Sequence, residues 1–133
     1  MAKLEHIGIA VKNLKDAITL YETILCTDCY KVEAVESEKV ITAFLKAGDT
    51  KVELLESADE TGVIAKYIEK RGEGLHHIAF EVEDIYAEMA RLKKEGFTLL
   101  MDQPKRGADN KLICFVHPKS AGGVLLEICQ EKK

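Results

Sequence analysis

His6-Ile7-Gly8-Ile9-Ala10-Val11, followed by Lys12-Asn13-Leu14, returns 71 positions later as His77-Ile78-Ala79-Phe80-Glu81-Val82, followed by Glu83-Asp84-Ile85. In each copy a histidine opens a short apolar run of mixed alternation, the pattern of a strand. A residue suited to a helix N-cap, Asn13 or Asp84, then ends the run. The period changes there. Leu14, Ala17, Ile18, Tyr21, Ile24 and Leu25 recur at helical spacing, as do Ile85, Met89 and Leu92. The second helix is expected to stop at Gly96, with Lys93 and Lys94 in its last turn opposite the negative end of the dipole. A repeat of this length takes precedence over any local reading, because it fixes the architecture.

Three short strand candidates follow each helix. The first half offers about 29–35, 40–47 and 51–55, with Gly48-Asp49-Thr50 as a turn. The second offers about 97–101, 111–116 and 123–129, separated by Pro104-Lys105-Arg106-Gly107 and His117-Pro118-Lys119-Ser120. The expected fold is therefore α+β: two β-α-β-β-β modules forming a cupped mixed sheet. A further helix at 60–71, apolar at Val63, Ile64, Tyr67 and Ile68 and stopped by Gly72, joins the repeats. Gly and Pro are too sparse for a flexible linker. The 133 residues are read as a single domain made of two repeats, about 1–56 and 74–133.

Composition narrows the function. The chain is 47% hydrophobic and 32% charged, close to globular norms, which excludes wholesale disorder and fibrous classes. A single domain of this length buries roughly two thirds of its unfolded surface, so no metal or disulfide staple is required for folding. The net charge is −4 and no cluster of like charges occurs, so neither nucleic acid nor an anionic membrane is an expected partner. No apolar run approaches the ~18 residues of a membrane span, and residues 1–15 lack a signal-peptide core. The expectation is a cytoplasmic enzyme or binding domain.

The chemistry lies in the polar positions that the repeats share. His6 and His77 open equivalent strands. Glu53, in Lys51-Val52-Glu53-Leu54-Leu55, and Glu127, in Val124-Leu125-Leu126-Glu127-Ile128, lie in equivalent last strands, 74 positions apart. Glu127 interrupts an otherwise apolar run, where a carboxylate needs a partner. Two imidazoles and two carboxylates without thiolate suit a divalent first-row metal in an open site. Such a donor set favours Co, Ni, Mn, Fe or Zn in a five- or six-coordinate site, and the ligands alone leave the choice open. Strand alternation puts His76 on the face opposite His77, which makes it a packing or supporting histidine. His117, in the loop before the last strand, reads equally as a ligand contact or a turn residue. Cys26-Thr27-Asp28-Cys29 has redox spacing, but it follows a helix instead of beginning one. Cys114 and Cys129 form no second pair, so the four thiols are read as reduced and without metal.

The stretches His6-Ile-Gly-Ile-Ala-Val, Gly48-Asp-Thr-Lys-Val-Glu-Leu-Leu-Glu56, Gly74-Leu-His-His-Ile-Ala-Phe-Glu-Val-Glu-Asp-Ile85 and His117-Pro-Lys-Ser-Ala-Gly-Gly-Val-Leu-Leu-Glu127 together resemble the vicinal oxygen chelate superfamily. Within it the last stretch is similar to the methylmalonyl-CoA epimerase family. That resemblance implies metal ligands at His6, His77 and Glu127, with Glu53 at a position where the family carries Gln or Glu. It further implies an acyl-CoA substrate of malonyl type, a homodimer, and epimerisation by α-proton removal and return through a metal-stabilised enolate. Glu127 and Glu53 are the catalytic candidates, although the segment Glu36-Ser37-Glu38-Lys39 leaves the second base open. Lys105, Arg106, Lys111 and Lys119, with His117, are candidates for holding the coenzyme A tail. A glyoxalase I-type isomerase on the same ligands, an extradiol dioxygenase with iron, and a metal-free small-molecule binding protein remain as alternatives.

Overall fold

The computed structural model describes residues 2–131. Among these residues are eight strands and three α-helices. They fall into two compact units: His6–His76, and the chain from His77 on together with the segment up to Glu5.

In the first unit, strand β1 (Lys3–Ala10, of which His6–Ala10 lies in this unit) leads through helix α1 (Leu14–Leu25) to β2 (Lys31–Val35), β3 (Val40–Ala47) and β4 (Thr50–Ser57). The hydrogen-bonded order is β2-β3-β4-β1, with β1 parallel to β4 and the other pairs antiparallel. Helix α1 begins where expected, because the Asn13 side chain accepts from the Asp16 N–H. It buries Leu14 and Ala17 against Ala43, Leu45, Val52 and Leu54 of the sheet. Helix α2 (Val63–Arg71) follows and is closed by Gly72 at φ 78°, a left-handed conformation natural to glycine. It lays Ile64 against Ala10 and Leu55 on the opposite sheet face.

The second unit repeats the plan. Strand β5 (Gly74–Glu81, of which His77–Glu81 lies in this unit), α3 (Ile85–Lys94), β6 (Lys105–Arg106), β7 (Lys111–Val116) and β8 (Leu126–Glu131) pair in the order β5-β8-β7-β6, with β5 parallel to β8. Asp84 caps α3 by accepting from both Tyr86 and Ala87. Ile85, Met89 and Leu92 pack on Cys114, Val116 and Ile128.

The registration extends beyond the strands and caps. The first N–H of α1, on Leu14, is held by Glu56 Oε1 at 2.8 Å, and that of α3, on Ile85, by Gln130 Oε1 at 2.7 Å. Each acceptor stands three residues after the glutamate singled out in its last strand.

Two expectations need correction. Residues 97–101 form no ladder: Leu99 makes one isolated bridge with Val116, and Leu100 donates to the Phe115 carbonyl. The neighbour of β7 on the side away from β8 is Lys105–Arg106, which the sequence reading places in a turn. Phe97, Leu99 and Met101 alternate like a strand because they pack on the α3 core, while Pro104 offers no N–H to extend a ladder. The last strand starts at Leu126 and not at Gly123. Gly122 and Gly123, at φ 67° and 93°, are spent on the turn that follows Pro118–Ala121.

Candidate active site

Each unit, taken by itself, carries one buried His–Glu pair built by the same strand register. In the first, Gly8 stands opposite Glu53 across the parallel β1–β4 pair, with His6 two residues earlier. His6 Nδ1 lies 3.1 Å from Glu53 Oε2. In the second, Ala79 stands opposite Glu127 across β5–β8, with His77 again two residues earlier. His77 Nε2 lies 3.4 Å from Glu127 Oε1. The residue facing each glutamate is therefore small, Gly8 or Ala79, which leaves room for imidazole and carboxylate to meet. On its other side each glutamate faces a phenylalanine, Phe44 or Phe115. The Phe115 ring meets the His77 ring edge-on, centroids 5.8 Å apart.

Burial gives these pairs their significance. His6 is 3% exposed, and Glu53, His77 and Glu127 are each 5% exposed. An ionised carboxylate withdrawn this far from water requires a compensating donor or cation. The side chains offer imidazole nitrogen and carboxylate oxygen and no thiolate, the donor chemistry of an open divalent metal centre. The residues present therefore fit a divalent metal, and they also suit proton transfer by a carboxylate in a water-poor setting.

His76 takes the role alternation assigns it. Its ring packs edge-on against Tyr67 at 4.7 Å, and burial holds its pKa down to about 4, so it is neutral at physiological pH. Cys129 follows Glu127 on the same strand face. Burial, and then the Glu127 and Glu5 carboxylates, push its thiol far above the ordinary cysteine range, so it is a protonated packing group. Cys26 caps α1 in the left-handed region at φ 52°, and all four cysteines are free.

The cationic candidates separate. Lys105 stands opposite Ile113, on the sheet face that carries Glu127, whereas Arg106 stands opposite Leu112 and bonds Asn110 Oδ1 at 2.6 Å. Lys119 is exposed. Its N–H donates to His117 Nδ1 at 3.0 Å, so His117 acts as a turn cap. Lys111 leaves the list of coenzyme-tail candidates: it is 6% exposed and its Nζ is engaged by Glu81 Oε1 at 3.1 Å. The signal that could have found the pair was alternation, which puts Glu81 on the face of His77 and Lys111 on that of Phe115.

The comparisons with known proteins agree with this plan. Residues 5–115 match the family model of the Glyoxalase/Bleomycin resistance protein/Dioxygenase superfamily. The chain is 39% identical over 132 residues to the uncharacterized protein YqjC of Bacillus subtilis, covering 99% of this chain and 94% of that protein. It is 37% identical to the ethylmalonyl-CoA/methylmalonyl-CoA epimerase of Cereibacter sphaeroides, covering 98% of each. A variant of Streptomyces coelicolor methylmalonyl-CoA epimerase, solved in complex with 2-nitronate-propionyl-CoA, matches at a TM-score of 0.95 and 33% identity, covering 100% of this chain and 99% of that one. The chain belongs to the glyoxalase/bleomycin resistance/dioxygenase (vicinal oxygen chelate) superfamily, shares its α+β fold, and counts methylmalonyl-CoA epimerases among its relatives.

Proposed function

We propose that this protein is a metal-dependent epimerase that interconverts the R and S forms of methylmalonyl-CoA. The observation that carries the reading is the repeated, buried His–Glu pair, His6 with Glu53 and His77 with Glu127, in a chain whose relatives include epimerases of this substrate class. His6, His77, Glu127 and Glu53 are proposed as the ligands of one divalent ion, Co2+ first, with Mn2+, Ni2+ or Zn2+ as alternatives. When bound, such an ion supplies Lewis-acid stabilisation of the charge that develops on the thioester oxygen as the α-proton leaves.

The remaining steps belong to side chains. One carboxylate would remove the α-proton, and protonation from the opposite face would invert the centre. Glu127 and Glu53, one from each repeat, are the proposed acid–base pair. Small residues, Gly8 and Ala79, and phenylalanines, Phe44 and Phe115, flank the glutamates on the neighbouring strands. Lys105, Arg106 and Lys119, exposed and close in sequence to the last strands, are proposed to meet the phosphates of the coenzyme, with His117 shaping the turn that carries Lys119. The two repeats are proposed to work as a single domain and to assemble as a homodimer. We place the protein in the cytoplasm, a compartment consistent with four free cysteines. Among the described residues no helix is long and apolar enough to cross a membrane.

Deuterium wash-in at the α-carbon of methylmalonyl-CoA, with metal-replete and chelated protein, tests the proposal. Metal-dependent incorporation into both epimers supports it. Binding without exchange would favour a ligand-binding protein. Turnover of a glutathione hemithioacetal instead would favour the glyoxalase I-type reading.

A further inference from the structure

On the sheet face that carries His77 and Glu127, the second unit holds a second charge arrangement, a buried lysine against a half-buried glutamate, that the proposed reaction does not use. Alternation along β7 puts Lys111, Ile113 and Phe115 on one face, and the register sets Phe115 opposite Glu127 and Ile113 opposite Cys129. Along β5, Ala79 stands opposite Glu127 and Glu81 opposite Cys129. The Lys111 side chain reaches across β8 so that its Nζ lies 3.1 Å from Glu81 Oε1. Lys111 itself stands opposite Glu131, and its ammonium meets the side chain of Glu81, which stands in the row of Cys129, two residues or about 7 Å of strand from Glu127.

The first unit shows that the frame does not need this pair. Lys111 stands four residues before the phenylalanine that faces the glutamate. The residue so placed in the first unit, four before Phe44, is Val40. Glu81 stands four residues after His77, and the residue four after His6 is Ala10. The same strand order and the same His–Glu geometry are built there with apolar side chains. A lysine and a glutamate at these two places cost desolvation that valine and alanine avoid. What they add is electrostatic: a positive charge within one strand repeat of a carboxylate, moderated by its own counter-charge.

We propose that Lys111 sets the cation affinity of the His77–Glu127 pair, and that Glu81 moderates it. This inference rests on the metal reading given above. Lys111 is a positioning residue here, acting through Glu127 and not on substrate. Its charge opposes a dication and keeps the carboxylate from holding the metal too tightly. A ligand that must also free an oxygen for proton transfer requires that restraint. Glu81 cancels part of the effect.

The test is Co2+ affinity, measured by titration calorimetry on the whole protein, because charge and scaffold predict different signs. Lys111→Met keeps the apolar stem and leaves Glu81 uncompensated, so Co2+ should bind tighter by on the order of tenfold at this separation. Glu81→Gln removes the negative charge beside the ammonium, so binding should weaken by a similar factor. Lys111→Met/Glu81→Gln removes both charges and should return within about twofold of wild type, as should Lys111→Arg. If Lys111→Met does not fold, the loss in Glu81→Gln and its recovery in the double variant carry the test. Weaker binding in both single variants, or no recovery in the double variant, overturns the proposal and leaves the pair as scaffold. Wild-type protein that binds no Co2+ overturns the metal reading itself.

Discussion

Replacing Glu127 by glutamine changes the charge of one side chain and almost nothing of its shape. The carboxylate is 5% exposed, lies between Ala79 and Phe115 across its two neighbouring strands, and faces His77 Nε2 at 3.4 Å. An amide oxygen can occupy the same place, so coordination should survive in part. The amide cannot accept the α-proton. General-base catalysis contributes ~10²–10⁴-fold, which at 1.36 kcal/mol per decade is about 3–5 kcal/mol of barrier. Glu127→Gln should therefore lose exchange by two to four orders of magnitude while Co2+ affinity falls by much less. The assay is deuterium wash-in at saturating metal, with occupancy measured on the same samples. Glu53→Gln provides the comparison, because an amide is tolerable at a position that only ligates. Near-normal exchange in fully loaded Glu127→Gln would remove Glu127 from the acid–base pair and refute the mechanism as written.

Further outcomes follow from single features. His77→Ala should abolish stoichiometric metal binding while His76→Ala leaves it intact, as metal analysis after dialysis will show, because only His77 shares a strand face with Glu127. Asp84→Ala should cost about 1 kcal/mol in urea unfolding and at least as much as Asn13→Ala, since Asp84 accepts two helix N–H groups and Asn13 one. His76 is held at a pKa of about 4 against an ordinary 6.5, so its neutral form belongs to the folded state. Stability should accordingly fall as pH drops from about 6.5 to about 4, and His76→Phe should flatten that part of the profile. Sedimentation should give a dimer mass, and a concentration-independent monomer would contradict the proposed assembly.

The duplication was legible because it is written in residues that strands and caps cannot easily exchange. His6 and His77, Asn13 and Asp84, and Glu53 and Glu127 each mark the same point of the frame, and the structure gives each pair the same register. What escaped the sequence depended on partners far along the chain. Phe97-Thr98-Leu99-Leu100-Met101 alternates like a strand, yet its apolar side chains serve the α3 core and only one bridge forms. Lys105–Arg106 has no strand pattern of its own and pairs because the turn at Gly107–Asn110, with Asp109 and Asn110 at positive φ, folds it back on β7. For Lys111, alternation gives the face of the side chain, but only the strand order across β8 brings it to Glu81. The helix-start contacts of Glu56 and Gln130 were invisible for the same reason.

The two repeated His–Glu pairs are proposed to serve one metal-dependent proton transfer. The most direct test titrates Co2+ into metal-free protein while following deuterium wash-in on methylmalonyl-CoA. The predicted result is exchange that rises in proportion to bound cobalt and saturates at one equivalent per chain. Full exchange in the metal-free protein, or saturation only at two equivalents with each pair binding its own ion, would contradict it.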